Sequence, residues 1–157
     1  MKLLSLKQIA AWTGGKLDPK YNDVLVRGVN TDSREVKPGQ LFIPLAGTRV
    51  DGHNFIGRAM DAGAAGVLTA KTPKRDIPAV QVRDTLEAFG MLAAAYRASL
   101  SVKVIAITGS VGKTTTKEML AAILRQRFST TWTEGNHNNN LGLPMSIMDI
   151  EPRTELS

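Results

Sequence analysis

Apolar residues in this chain recur at two spacings, one typical of helices and the other of strands. Helical spacing begins after Ser5, where Gln8 lies three positions on and completes the pattern of a helix cap. It begins again after Asp84, with Glu87 in the matching position. The apolar stripe of the second helix, 86–96, is more typical of core packing than of a cofactor site.

Short runs of β-branched and apolar residues alternate with these helices. They predict strands at 24–29, 41–45, 67–68, 79–82, 104–108 and 130–133, with further helices at 53–62, at 113–128 and after 144. Pro44 suits an edge strand because proline has no N–H to donate to a neighbouring strand. Strands and helices in this mixed order predict an α/β fold.

Composition narrows the function classes. The hydrophobic fraction of 43% is that of a globular protein, and no apolar run reaches the ~18–20 residues of a membrane span. Cysteine is absent, which excludes disulfides and thiolate metal sites and fits a cytoplasmic protein. The net charge is +6, yet basic residues are scattered and aromatic residues make up only 5%, so we predict no nucleic-acid partner.

The strongest chemical signal is a glycine loop between the strand predicted at 104–108 and the helix predicted from Lys113. Glycines let the backbone approach a phosphate closely, and the N–H groups at the helix start point toward it. We predict that Lys113 is the catalytic cation on the β/γ-phosphates and that the Thr114 hydroxyl is a Mg²⁺ ligand. The full Walker spacing is not met, because Ile107 occupies the position of the first glycine. The predicted nucleoside-triphosphate site comprises Gly109, Ser110, Val111, Gly112, Lys113, Thr114 and Thr115.

The predicted elements divide into two units, a small α/β unit at 1–83 and a second α/β unit of the phosphate-loop type at 84–157. Nucleotide-binding sheets usually have ~5–6 strands, and few are visible in the second unit. No strand ending in an acidic residue follows the glycine loop, and Glu151 and Glu155 lie in a polar tail. We therefore expect the second unit to be the first part of a longer ATP-binding domain.

Four stretches of the chain together resemble one family, the ATP-dependent Mur ligases of peptidoglycan precursor synthesis. The shortened phosphate loop is the usual form in that family. An asparagine-rich stretch favours the branch that adds D-alanyl-D-alanine to UDP-N-acetylmuramoyl-tripeptide. The stretches are Thr31–Arg34 with Pro38-Gly39, Leu41–Gly47 with Asp51–Ile56, Ala106–Glu118, and Gly135–Pro144.

The resemblance implies that the first unit binds the UDP end of the substrate. Arg34 would offer a planar donor fork to diphosphate oxygens, and Ser33 a hydroxyl. Two alternatives remain open: Asp32 and Ser33 cap a turn, and His53 satisfies a local backbone group. The implied substrate residues are Asp32, Ser33, Arg34, Thr48, Arg49, Asp51, Gly52 and His53.

The resemblance also places Asn139 and Asn140 beside the triphosphate, whereas Asn136 and His137 have structural roles. It implies ATP and Mg²⁺ as cofactors, a bacterial cytoplasmic enzyme, and amide-bond formation through an acyl phosphate, with UDP-N-acetylmuramoyl-tripeptide and D-alanyl-D-alanine as partners. The family's later acidic metal ligand, modified lysine and histidine have no counterpart in this sequence. We therefore expect that the 157-residue chain by itself does not ligate.

Other functions remain alternatives. A sibling Mur ligase would add a different amino acid, and a folylpolyglutamate-synthase-like enzyme would share the phosphate loop but not the stretches around Arg34 and His53. A non-catalytic module would bind a UDP-sugar without turnover. A phosphate-loop GTPase or kinase would need a base-selecting motif downstream of the loop, and none is visible.

Overall fold

The computed structural model describes residues 1–47, 50–133 and 141–157. Its central feature is a parallel sheet of four short strands: β3 (Val29–Asn30), β4 (Leu41–Phe42), β5 (Gly66–Thr69) and β6 (Ala79–Gln81), in the order β3-β4-β5-β6. A separate antiparallel pair joins β1 (Leu4–Ser5) to β2 (Leu25–Val26). The α/β fold predicted from the sequence is confirmed.

Five α-helices accompany these strands in the described residues. They are α1 (Leu6–Thr13), α2 (Ile56–Asp61), α3 (Thr85–Ala98), α4 (Lys113–Leu124) and α5 (Gly142–Met148). Short 3-10 turns lie at Pro19–Tyr21 and Gly52–Phe55, also within the described residues. The predicted helix at 53–62 is thus a 3-10 turn followed by α2.

The helix starts follow the predicted caps. The Ser5 hydroxyl accepts the backbone N–H of Gln8, and the Gln8 side chain accepts the backbone N–H of Ser5, so α1 begins with a reciprocal capping box. At α3 the carboxylate of Asp84 accepts the backbone N–H of Glu87 at 2.8 Å. Both predictions from local spacing are confirmed.

Both faces of the parallel sheet are covered by helices. Successive residues of a strand point to opposite faces, so neighbouring residues pack in different cores. Leu41 and Leu68 pack in the core with α1 and α3, whereas Phe42 and Val67 pack with Ala59 of α2 on the other face. β4 is therefore a central strand, paired with both β3 and β5. The edge position that we predicted from Pro44 is wrong, since this proline lies beyond the end of the strand, where no ladder hydrogen bond is needed.

The segments after α3 form a looser parallel arrangement. Leu156 makes isolated parallel bridges to Lys103 on one side and to Thr130 on the other. The strand predicted at 130–133 is therefore reduced to a single bridge at Thr130, and the strand predicted at 104–108 is absent, with a bridge only at the preceding Lys103. Each segment is paired over only one or two residues, and a strand requires a continuous ladder. The segment around Glu155, predicted as a polar tail, is also paired, since the backbone N–H of Glu155 donates to the carbonyl of Ser129.

A buried tyrosine joins the N-terminus of the chain to the segment that follows α5. The Tyr96 hydroxyl on α3 donates to the carbonyl of Ile150 at 2.6 Å and accepts the backbone N–H of Lys2 at 3.0 Å. Tyr96, Met148 and Ile150 also lie in the same hydrophobic core as α1. The packing of α3 thus extends from the N-terminal elements to α5.

None of the described helices is long and apolar enough to cross a membrane.

Candidate functional site

Polar turns follow three neighbouring strands at the same edge of the parallel sheet. The Asp32–Arg34 turn follows β3, the segment through Asp51 and His53 follows β4, and Ala70 and Lys71 follow β5. Carboxyl ends of adjacent parallel strands meet at one edge, where α/β proteins bind ligands. The topology therefore gathers the predicted substrate residues at one end of the sheet. Thr48 and Arg49, also predicted here, lie outside the described residues.

The Asp32–Arg34 turn is closed by its own charges. The Asp32 carboxylate accepts the backbone N–H of Arg34 at 2.9 Å, and the Arg34 guanidinium donates to both Asp32 oxygens. Hydrogen bonds from Arg34 lower the pKa of Asp32 to about 2. Asp32 is thus a turn-capping residue, as one alternative held, while Ser33 is buried at 7% exposure. The Arg34 side chain is 71% exposed and remains accessible to a second anion.

The turn after β4 is held by a more extensive set of contacts. The Nδ1 atom of His53 lies 2.6 Å from Asp51 Oδ1, and the Nε2 atom accepts the N–H of Ala70 at 3.2 Å. Because Nε2 is an acceptor, we assign the ring hydrogen to Nδ1, which donates to Asp51. The alternative in which His53 satisfies a backbone group is thus the arrangement found.

Asp51 also bonds a lysine that sequence reasoning missed. Its Oδ2 atom lies 2.5 Å from Lys71 Nζ, and hydrogen bonds from Lys71 and His53 hold the pKa of the Asp51 carboxyl well below its ordinary range. Lys71 is 20 positions from Asp51 and belongs to no motif. Only the pairing of β4 with β5 brings the two together. Lys71 and His53 border a cleft of about 480 Å³ beside α2.

Gly52 is required by close backbone packing at this turn. Its N–H donates to the Leu45 carbonyl at 2.9 Å, and a Cβ placed on Gly52 would lie 2.7 Å from that carbonyl oxygen. Any larger residue would push the two backbone segments apart. Gly52, which we predicted as a substrate residue, is thus required for the backbone packing of this turn.

The glycine loop leads directly into α4. Gly112 has a φ of 82° and Gly109 a φ of 147°, conformations that disfavour residues with a side chain. Among the described residues no side chain caps the N-terminus of α4. The N–H groups of the first helical turn are orphans of the helix, and here they have no competing cap.

The side chains predicted to bind phosphate lie at this helix start. The Lys113 ammonium folds back and donates to the carbonyl of Gly109 across the loop. Thr114 is exposed in the first turn of α4. A second cleft, of about 320 Å³, is lined by Lys113 and Thr114 together with Lys117 and Trp132. Asn139 and Asn140 lie outside the described residues.

These residues fit a triphosphate with its Mg²⁺. The uncapped helix N-terminus and Lys113 supply donors and positive charge, and the Thr114 hydroxyl is an oxygen ligand of the kind Mg²⁺ prefers. No group of three or more acidic, histidine or cysteine side chains suited to a metal occurs in the part of the chain that the structure describes. The role of Thr114 as a Mg²⁺ ligand stays a prediction.

Comparison with known families identifies the chain. Residues 25–97 match the model described as the Mur ligase family, catalytic domain, and residues 107–156 match the Mur ligase middle domain. The chain belongs to the Mur ligase family. The first match continues through α3, whereas we predicted a unit boundary at 83/84 from the sequence.

Similar proteins share the architecture over nearly all of this Mur ligase chain. A Bacillus subtilis protein named UDP-N-acetylmuramoyl-tripeptide–D-alanyl-D-alanine ligase is 41% identical over 157 residues, covering 98% of this chain and 34% of that protein. The crystal structure of MurF from Acinetobacter baumannii superposes with a TM-score of 0.92 at 34% identity, covering 99% of this chain and 35% of the other. The structure of MurF from Thermotoga maritima in complex with ADP superposes with a TM-score of 0.75 at 36% identity, covering 83% of this chain and 31% of the other. The chain spans about a third of the length of the curated relatives it matches.

Proposed function

We propose that these residues belong to an ATP-dependent ligase that adds D-alanyl-D-alanine to UDP-N-acetylmuramoyl-tripeptide. The observation that carries the proposal is the combination of an uncapped, glycine-led helix bearing Lys113 and Thr114 with 41% identity to a ligase of that name. The solved MurF relative that holds ADP supports an adenine nucleotide at this loop.

In this proposal the chain's residues act by binding and orientation. The N–H groups from Ser110 to Thr115 and the Lys113 ammonium hold the β/γ-phosphates, and Thr114 holds Mg²⁺. Lys113 leaves the Gly109 carbonyl to do so, exchanging a neutral acceptor for a charged one. The bound metal would neutralise charge that develops on the transferred phosphoryl group.

At the sheet edge, Arg34 and the turn around Asp51–His53 hold the UDP end of the substrate in this proposal. Arg34 supplies the donor fork, and Asp51, Gly52 and His53 fix the backbone that contacts the ligand. The boundary at 83/84, the roles of Thr48, Arg49, Asn139 and Asn140, and the bacterial cytoplasmic location stay predictions. A UDP-sugar-binding module without turnover is the alternative that shares this sheet edge.

The test is phosphate release by the ligase that contains these residues, with ATP, UDP-N-acetylmuramoyl-tripeptide and D-alanyl-D-alanine. We expect release to require all three, and Lys113→Ala to abolish it. Replacing D-alanyl-D-alanine by single amino acids distinguishes a sibling ligase, which would then turn over. Tight binding of the UDP substrate with no turnover under any combination would favour the binding module.

A further inference from the structure

The carboxyl end of β5 is joined to the turn after β4 by two side-chain contacts. The Ala70 N–H donates to His53 Nε2 at 3.2 Å, and Lys71 Nζ lies 2.5 Å from Asp51 Oδ2. We refer to Asp51, His53, Ala70 and Lys71 as the β5 clamp. Its members belong to the segments that follow two neighbouring strands, β4 and β5, so the clamp joins those segments at one end of the sheet.

Asp51 is the central member of the β5 clamp, because both of its oxygens are used. Oδ1 accepts the backbone N–H of His53 at 2.9 Å and also faces the His53 ring, while Oδ2 faces Lys71. The Asp51 carboxylate thereby caps the 3-10 turn at Gly52–Phe55.

Lys71 is well placed to hold that carboxylate because its own backbone is fixed. Its N–H donates to the Thr69 hydroxyl at 3.1 Å, and that hydroxyl donates back to the Lys71 carbonyl at 3.0 Å. Thr69 is fully buried in β5. The Lys71 backbone is therefore anchored to the sheet, although 61% of the Lys71 side chain is exposed to solvent.

We propose that Lys71 is a positioning residue for the UDP substrate: its ammonium holds the Asp51 carboxylate and so fixes the turn at Asp51–His53 in its ligand-binding arrangement. The inference rests on the proposed function, in which that turn contacts the UDP end of the substrate. Lys71 need not touch the ligand. Its contribution passes through Asp51.

The experiment measures affinity of this chain for UDP-N-acetylmuramoyl-tripeptide and for ATP by calorimetry. The variants are Lys71→Ala, Lys71→Arg, Asp51→Asn and the Lys71→Ala/Asp51→Asn double variant. The matched control is Lys20→Ala, because Lys20 forms another exposed ion pair, 2.6 Å from Asp76, that includes no member of the clamp. Thermal unfolding of each variant establishes that it is folded.

We expect Lys71→Ala to weaken UDP-substrate binding by about five-fold, the upper range for a solvent-exposed ion pair, and to leave ATP affinity unchanged. Lys71→Arg should restore the affinity, because arginine keeps a donor for Asp51. In the Asp51→Asn background, Lys71→Ala should have little further effect, since the contact is already weakened. Lys20→Ala should bind like wild type.

Several results would overturn the inference alone. Lys71→Ala could bind the UDP substrate as tightly as the wild type does, or it could lose affinity for the UDP substrate and for ATP equally. Lys20→Ala could also lose as much affinity for the UDP substrate as Lys71→Ala. Full additivity of Lys71→Ala and Asp51→Asn would also overturn it. If the wild-type chain shows no affinity for the UDP substrate, the proposed role of the sheet edge fails, and the inference fails with it.

Discussion

Helices α3 and α4 begin in opposite ways, although both follow loops in the same small chain. At α3 the Asp84 carboxylate accepts a first-turn N–H, whereas α4 follows Gly112, and no described side chain caps it. A cap satisfies orphan donors and stabilises the helix. An end without one keeps those donors available for an anion. The comparison indicates that the first turn of α3 is stabilised by its cap, whereas the first turn of α4 keeps its N–H donors for a ligand.

The same contrast separates the two polar regions. At the sheet edge, Asp32 pairs with Arg34 and Asp51 with Lys71, so the charges are largely balanced within the protein. At the glycine loop, Lys113 contacts only a neutral carbonyl among the described residues. A triphosphate would meet an uncompensated cation at the loop, while at the sheet edge a ligand must compete with existing carboxylates.

The largest effect that would test this contrast is expected from Lys113→Ala. Losing a charged donor to phosphate costs about 2 kcal/mol, so ATP affinity should fall roughly thirty-fold. Calorimetric titration of ATP measures this. Lys103→Ala removes an exposed lysine outside the loop and should change nothing. Wild-type affinity in Lys113→Ala would show that the loop is not the phosphate site.

Gly112→Ala should have the next largest effect. Residues with a Cβ pay about 1–2 kcal/mol in left-handed backbone, and Gly112 has a φ of 82°. We expect roughly ten-fold weaker ATP binding and a lower melting temperature. Gly57→Ala is the control, since a Cβ on Gly57 in α2 meets nothing within 4 Å. Equal behaviour of the two variants in ATP titration would contradict the account of the loop.

Asp84→Ala should show the reverse pattern. Removing a helix cap costs about 1 kcal/mol, which lowers the melting temperature of a domain of this size by about 2–4 °C. ATP affinity should stay at the wild-type value, because Asp84 is not among the residues that line the cleft beside Lys113. Thermal denaturation and ATP titration of the same sample measure both effects. A fall in ATP affinity without a fall in stability would remove the distinction between the two helix starts.

The smallest effect concerns pH at the sheet edge. The pKa of Asp32 is lowered from 3.8 to about 2, so the pairing contributes stability above about pH 4 and loses it as the pH falls through 2. An NMR titration of the Asp32 carboxyl carbon should therefore give a midpoint near 2. In Arg34→Ala the midpoint should move back toward 3.8. A wild-type midpoint at the ordinary value would mean that Arg34 is free to bind ligand without competition.

Sequence reasoning succeeded where the cause is local. The caps of α1 and α3 depend on residues three positions apart, so Ser5 with Gln8 and Asp84 with Glu87 could be recognised directly. The glycine loop is also local: the sequence predicts a helix that begins at Lys113 after the glycines, and α4 begins there. These predictions required no knowledge of strand pairing.

It failed where the cause is a contact between distant segments. The central position of β4 follows from pairing with β3 and β5, which no property of Pro44 reveals. Lys71 reaches Asp51 only through the neighbouring strand ends. The strand predicted at 104–108 is apolar enough, but a strand is defined by its partners, and Lys103 makes only an isolated bridge to Leu156.

The most direct test of the central claim follows backbone amides by NMR while ATP and Mg²⁺ are added to this chain. We predict large shifts for the amides of Ser110 to Thr115 at the start of α4, with those of Thr85 to Glu87 at the capped start of α3 unmoved. Saturable shifts at the α4 start that disappear in Lys113→Ala would support the claim. Unmoved loop amides at saturating ATP, or equal shifts at both helix starts, would contradict it.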